Sequence, residues 1–249
     1  MSEKLMYEEL TPKEFLARLQ GAPIAYLPLG TLEWHGAHLP LGSDGIQSQG
    51  FFVKLAERVG GIVLPMLFVG PDRYKIVDGK ELFGMDICKS KYGSYPDQQL
   101  PGSAYWVGQN FFTQLLRHIL ARLRRAGFRI VVAHGHGPST NVFRDNIEKW
   151  SRELDLKLFD CRRDDESDGL GIQTDHAGAN ETSLVMALRP DLVRMENLPT
   201  DRDVFPLAVG HLDPRTHASP ELGRRAIDMQ LERMAGILTE ACRALRTEC

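Results

Sequence analysis

Glu33, His35, His38 and Asp44 fall in one short run, Leu29-Gly30-Thr31-Leu32-Glu33-Trp34-His35-Gly36-Ala37-His38-Leu39-Pro40-Leu41-Gly42-Ser43-Asp44, directly after the apolar Ile24-Ala25-Tyr26-Leu27-Pro28-Leu29. Carboxylate and imidazole together are the donors of divalent transition-metal sites. Glu33 and His35 are two apart, a spacing that turns both side chains to one side of an extended backbone. The small residues and proline that follow can bring Asp44 back towards them. Taken alone, the same run is also compatible with an ordinary polar surface loop, and His38 reads as a residue that orients that loop by hydrogen bonding.

Two further clusters repeat the chemistry. His134-Gly135-His136-Gly137-Pro138-Ser139-Thr140-Asn141 follows the apolar Phe128-Arg129-Ile130-Val131-Val132-Ala133. The glycines clear space around His136, and Ser139 or Thr140 can cap a following helix. Asp175-His176-Ala177-Gly178-Ala179-Asn180-Glu181-Thr182-Ser183 runs into Leu184-Val185-Met186-Ala187-Leu188 and stops at Arg189-Pro190. Glu181 is either a carboxylate ligand or a carboxylate that compensates a helix dipole. Asp175 beside His176 matches an orienting acid with a general acid/base.

Elements must deliver these groups. Ile24–Leu29 reads as a buried strand, and 61–68, 129–133 and 156–159 as further strands. Helices are expected over 47–58, 103–126, 140–154 and 220–245, and Thr11-Pro12-Lys13-Glu14 is a capping box opening another over 12–19. The alternation predicts an α/β fold with a largely parallel sheet and helices on both faces. The first two clusters then lie at strand carboxyl ends, where such sheets bind ligands. The segment 71–100, which contains Tyr74, Met85, Tyr92 and Tyr95, reads as a long loop, equally a surface excursion, a lid or an oligomer contact.

A chain of 249 residues without a Pro/Gly/Ser-rich linker is expected to form a single domain over 1–249. The net charge of −3 gives no nucleic-acid footprint, and Arg122, Arg124, Arg125 and Arg129 read as the wet face and end of a helix. The first residues form neither a signal peptide nor a membrane span, so a cytoplasmic protein is expected. Cys88, Cys161, Cys242 and Cys249 show no Cys-x-x-Cys spacing and read as reduced thiols.

Gly30-Thr31-Leu32-Glu33-Trp34-His35-Gly36-Ala37-His38-Leu39-Pro40-Leu41 with Asp44, His134-Gly135-His136-Gly137, and His176-Ala177-Gly178 with Glu181-Thr182-Ser183 together resemble the creatininase family of metal-dependent amidohydrolases. Weaker echoes at Pro101-Gly102-Ser103, Asp213-Pro214 and Ala218-Ser219-Pro220-Glu221-Leu222-Gly223 extend the likeness over nearly the whole chain. The resemblance implies a three-layer αβα sandwich and two divalent ions per chain, zinc, manganese or iron. Glu33 and His136 would hold one ion and His35 the other, with Asp44 bridging, while His176 would give a proton to the leaving group. It also implies a homo-oligomer, often a hexamer, acting on a small-molecule substrate.

The chain departs from creatininase itself. Pro138 stands where that enzyme carries a carboxylate ligand, and Glu181 is the expected substitute. His134 replaces an asparagine and is a second-layer partner, a substrate contact or an extra ligand. No tryptophan occurs over 160–174, where creatininase closes its site, so creatinine is not the expected substrate. Hydrolysis of a C–N amide bond, in a cyclic amide or a formamide, is the preferred reading. Hydrolytic C–C opening of a cyclic keto-inositol is the alternative, with Lys75, Lys80, His134 and Ser139 as its polar contacts. A metal-binding protein without catalysis would not need Asp175 and His176 beside the ligands.

Overall fold

The structure, a computed structural model, describes residues 4–87, 95–163 and 165–247. Its strands are β1 (Ile24–Leu29), β2 (Ile62–Val63), β3 (Tyr74–Val77), β4 (Lys80–Phe83), β5 (Ile130–Gly135) and β6 (Lys157–Phe159). The helices are α1 (Pro12–Gly21), α2 (Ser43–Val59), α3 (Gln109–Ala126), α4 (Gly137–Asp145), α5 (Ile147–Leu154), α6 (Ala179–Leu188), α7 (Pro214–His217) and α8 (Pro220–Thr247). The central sheet is parallel, in the order β2-β1-β5-β6.

Alternation along β1 divides the core in two. Ile24 and Tyr26 pack with Phe51, Phe52 and Leu55 of α2, Leu184 of α6, and Met234 and Leu238 of α8. Ala25, Leu27 and Leu29 face the other way, onto Phe112, Leu116 and Leu120 of α3, Phe143 of α4 and Trp150 of α5. Both faces of the sheet are therefore covered, which is why β1 and β5 are buried throughout rather than alternating. The result is three layers, helices on either side of a parallel sheet. At the amino end, the Thr11 side chain accepts from the Glu14 amide while Glu14 accepts from the Thr11 amide, the reciprocal cap expected from the sequence.

Several elements differ from the sequence reading. The strand expected over 61–68 pairs regularly only at Ile62–Val63, because Pro65 has no amide for a ladder. The chain still follows β1, with the amides of Leu64 and Leu67 donating to Tyr26 and Pro28. The helix expected from residue 103 starts at Gln109. The residues before it run extended, bridging Ala104 to Leu32 and Trp106 to Gly70. The helix over 140–154 is broken in two at Asn146, whose side chain donates back to the Val142 carbonyl.

The segment 71–100 is not one loop. β3 and β4 form an antiparallel hairpin turned by Asp78 and Gly79, at φ 49° and 74°. Tyr74 and Phe83 of this hairpin pack on Trp106. Tyr92 and the thiols Cys88 and Cys249 lie outside the described residues, whereas Cys161 and Cys242 are free thiols. Among the described residues no helix is long and apolar enough to cross a membrane.

Candidate metal centre

β1 and β5 are adjacent and parallel, so their carboxyl ends open on the same edge of the sheet. The first histidine cluster leaves β1 there and the second leaves β5. Gly135 makes the second exit possible. It sits at φ 146°, and a Cβ on it would lie 1.8 Å from the Leu29 carbonyl oxygen. His136 then serves as the residue before α4, with Pro138 in the first turn of that helix. Asp44 stands in the first turn of α2 and Glu181 in the first turn of α6, so both carboxylates meet the positive ends of helices.

His35 and His136 are each fixed by a backbone carbonyl through one ring nitrogen and offer the other to carboxylates. His35 Nδ1 donates to the Glu33 carbonyl (3.2 Å), leaving Nε2 3.2 Å from Asp44 Oδ1 and 3.6 Å from Glu181 Oε2. His136 Nε2 donates to the Pro71 carbonyl (3.1 Å), leaving Nδ1 3.1 Å from Glu33 Oε1 and 3.1 Å from Asp44 Oδ2. Anchoring of this kind orients a metal-binding imidazole and sets its tautomer. Three trios result, each with ligand atoms within 4.8 Å of one another: Glu33-His35-His176, and the two that share Asp44, Glu33-Asp44-His136 and His35-Asp44-Glu181. Asp44 enters those two through different oxygens.

The electrostatics of the cluster call for positive charge at two points. Burial opposes a charge on His35, but Asp44, Glu181 and Glu33 outweigh it and hold the imidazole up at about 10. The same contest, against Glu33 and Asp44, raises His136 well above its ordinary value. Burial and the neighbouring Asp44 push the Glu181 carboxyl well up. No lysine or arginine among the described residues pairs with Glu33, Asp44 or Glu181. Three buried carboxylates with only two imidazoles as basic partners are costly unless a cation joins them, and the oxygen and nitrogen donors suit a divalent transition ion.

His176 belongs to the remaining trio and lies beside the two that share Asp44. Its ring stacks on His35 at 4.4 Å between centroids, and its Nε2 donates to the Trp34 carbonyl (2.8 Å). Burial and the neighbouring His35 depress it to about 4, so it stands neutral with Nδ1 as its basic atom. Asp175 does not orient that ring. Its two carboxylate oxygens accept from the amides of Asn180 (2.8 Å) and Glu181 (3.1 Å), because the free amides at the start of α6 compete for them. Asp175 thereby fixes the turn that carries Glu181, while still lining the cavity.

The two expected substrate contacts are not in the cavity wall. His134 points into the protein from β5, and its Nε2 donates to the Ile172 carbonyl (3.0 Å). The left-handed Gly135 breaks strand alternation, so His134 and His136 do not share a face. Ser139 is fully buried, its Oγ packed where a Cβ on Gly70 would lie 2.4 Å away. Lys75 pairs with Asp97, and neither it nor Lys80 lines the cavity. The polar contacts expected for a keto-inositol are therefore absent from the described wall. His38 does orient its loop, through Thr182 Oγ1 (2.8 Å).

The cavity has a volume of about 610 Å³ and holds residues the sequence reading passed over. Gln173 donates from Nε2 to Asp44 Oδ1 (3.1 Å) and to the Asp44 carbonyl (3.1 Å), while its Oε1 accepts from Ser48 (2.8 Å). It clamps the shared carboxylate from a residue at φ 58°. Asp72 Oδ2 lies 3.5 Å from His136 Nε2, and burial with the nearby Glu33 raises its carboxyl to about 7. Arg73 and Met85 complete that wall from the residue before the hairpin and the turn after it. No local pattern marks these residues. For Asp72, Arg73 and Met85, which flank the β3–β4 hairpin, the Asp78-Gly79 turn was the available signal.

Residues 8–238 match the family model described as creatinine amidohydrolase. The creatinine amidohydrolase of Pseudomonas putida is 29% identical over 96% of this chain and 98% of its own. A mycofactocin precursor peptide peptidase of Mycolicibacterium smegmatis is 25% identical over 71% of this chain and 62% of its own. Among solved structures, a manganese creatininase superposes with a TM-score of 0.71 at 27% identity, covering 96% of this chain and 99% of that one. A creatininase mutant of the Zn-Zn type gives 0.72 at 25% identity, covering 97% and 99%. The parallel three-layer fold, the three motifs in order and these matches agree: the chain belongs to the creatininase family of metal-dependent, amidohydrolase-like hydrolases.

Proposed function

We propose that this hydrolase cleaves the C–N amide bond of a small polar metabolite, a cyclic amide or a formamide, at a centre of two divalent transition-metal ions. Asp44 carries the reading. Its two oxygens face two different imidazoles, each already fixed by a backbone carbonyl, which is the arrangement a bridging carboxylate needs. Glu33, Asp44 and His136 would hold one ion, and His35, Asp44 and Glu181 the other. Glu181 supplies the carboxylate that Pro138 cannot. Bound there, the ions would bring the pKa of a water into the neutral range and polarise the carbonyl under attack.

The chain's own residues carry the proton. With Nε2 committed to the Trp34 carbonyl, the neutral His176 ring would accept at Nδ1 the proton given up by the attacking water and return it to the leaving nitrogen. Gln173 keeps Asp44 aligned, and Asp175 keeps the first turn of α6, hence Glu181, in position. Zinc, manganese and ferrous iron all suit these donors, and relatives of both zinc and manganese type support that choice. The amide reading draws support from an amidohydrolase and a peptide peptidase among the relatives. The same reading carries the expectation of a cytoplasmic homo-oligomer, a hexamer by family likeness.

A metal-replete screen over small cyclic amides, formamides and cyclic diketones tests the proposal. Turnover of an amide that stops on chelation and returns with zinc or manganese is the expected result. Turnover confined to diketones would replace it with C–C cleavage. Two tightly held ions with no turnover would return a binding protein.

A further inference from the structure

The β3–β4 hairpin and the turn after it bring a permanent cation into an otherwise acidic and imidazole-lined cavity. Arg73 is the one lysine or arginine among the described residues of the lining. One arm of its guanidinium is tied down: Nη2 donates to the Gly84 carbonyl (2.9 Å) and lies 3.6 Å from Met85 Sδ. The Gly84 amide donates back to the Arg73 carbonyl (2.9 Å), so the two residues form a closed pair. No carboxylate among the described residues forms an ion pair with Arg73, although acidic side chains surround the cavity.

The anchor also fixes where that fork sits. Gly84 lies against the centre, since a Cβ on it would be 2.8 Å from Glu33 Oε2 and 2.7 Å from Asp72 Oδ2. The guanidinium is thus held one residue's width from a proposed ligand of the first ion. Once two dications offset Glu33, Asp44 and Glu181, the cavity ceases to repel an anion. A guanidinium with unpaired donors beside it then matches a carboxylate, which accepts two parallel N–H bonds from such a fork.

We infer that Arg73 is a specificity-determining residue and that the substrate is a small amide bearing a carboxylate a few bonds from the scissile carbon. The identity of the scissile bond rests on the amide-hydrolase reading; the carboxylate does not. An arginine serving only as a clip for Gly84 is the competing role, and it predicts no ligand selectivity.

Calorimetry on the metal-loaded full chain with a matched pair, N-acetylglycine and N-acetylglycinamide, separates the roles. The acid should bind tighter by on the order of 10- to 100-fold, the range of a charge-assisted pair. A carboxylate can also touch the ions directly, so the ratio is read in Arg73→Gln and Arg73→Lys with metal content checked. Gln should abolish the preference and Lys should keep part of it. Equal affinities in the parent, or a preference unchanged in Arg73→Gln, overturn the inference. Should the Gln variant lose metal or fold, the parent still decides through its Arg73 guanidinium nitrogen resonances, which should shift with the acid and stay fixed with the amide. Amide turnover without acid preference sinks only this inference, and acid preference without amide turnover sinks only the amide reading.

Discussion

At the scale of the residue, Asp44 is the side chain with most to lose. Replacing it by Ala removes a contact from both proposed ions and leaves two cations without the charge between them. Activity and both metals should vanish together in metal analysis, and a variant that retains two ions would put the bridge elsewhere. Glu181→Gln should weaken the ion at His35 while sparing that at Glu33 and His136, since an amide is a poorer donor than a carboxylate. Were Glu181 only a helix-end carboxylate, the change would cost about 0.3 to 1 kcal/mol and leave metal content alone. Gln173→Leu should fold normally yet lower metal affinity by about 10- to 100-fold in chelator competition, because it frees the shared carboxylate to rotate. Unchanged affinity would reduce Gln173 to packing. Glu33, His35, Asp44, His136 and Glu181 were legible one by one as candidates because each follows a strand end or opens a helix, whereas their convergence was implied only by the resemblance to the creatininase family. Gln173 and Arg73 were not, since their partners are distant in sequence and no periodicity records them. His134 and Ser139, as substrate contacts, do not line the cavity, because residue type says nothing of which way a side chain faces beyond a left-handed glycine.

At the scale of the element, what was legible followed from punctuation and period. The Thr11 capping box, the apolar β1 and β5 and the long α8 all stand where their patterns indicate. What was missed depends on tertiary pairing or on a single residue: Pro65 interrupting a strand, Ala104 and Trp106 bridging to distant backbone instead of starting a helix, Asn146 dividing one. The hairpin at Asp78-Gly79 is different, because that dipeptide between apolar runs is a local signal in its own right. Gly135 marks where an element boundary becomes a structural necessity. Gly135→Ala should destabilise the protein by about 3 kcal/mol or more in urea unfolding, through clash with the Leu29 carbonyl and a forbidden φ. A change below about 1 kcal/mol would mean that the β1–β5 exit relaxes freely.

At the scale of the whole molecule, the proposed ligands come from β1's exit, α2, β5's exit and α6, so bound metal would tie together four separate segments of the chain. A ligand that binds only the folded state stabilises it by about 2.7 kcal/mol when present at a hundred times its dissociation constant. For a chain of 249 residues that corresponds to a drop in Tm of about 5 to 10 °C on exhaustive chelation. Calorimetry before and after metal removal measures it, and an unmoved Tm would mean that the centre is rigid without ions. The order of the two Asp44-sharing trios along the chain has a consequence in time. Glu33, Asp44 and His136 have all been synthesised, together with both central strands, about 45 residues before the ribosome reaches Glu181. At about 5 to 20 residues per second, that interval is roughly 2 to 9 s. During it the nascent chain owns every side chain of the first trio and lacks the carboxylate that completes the second.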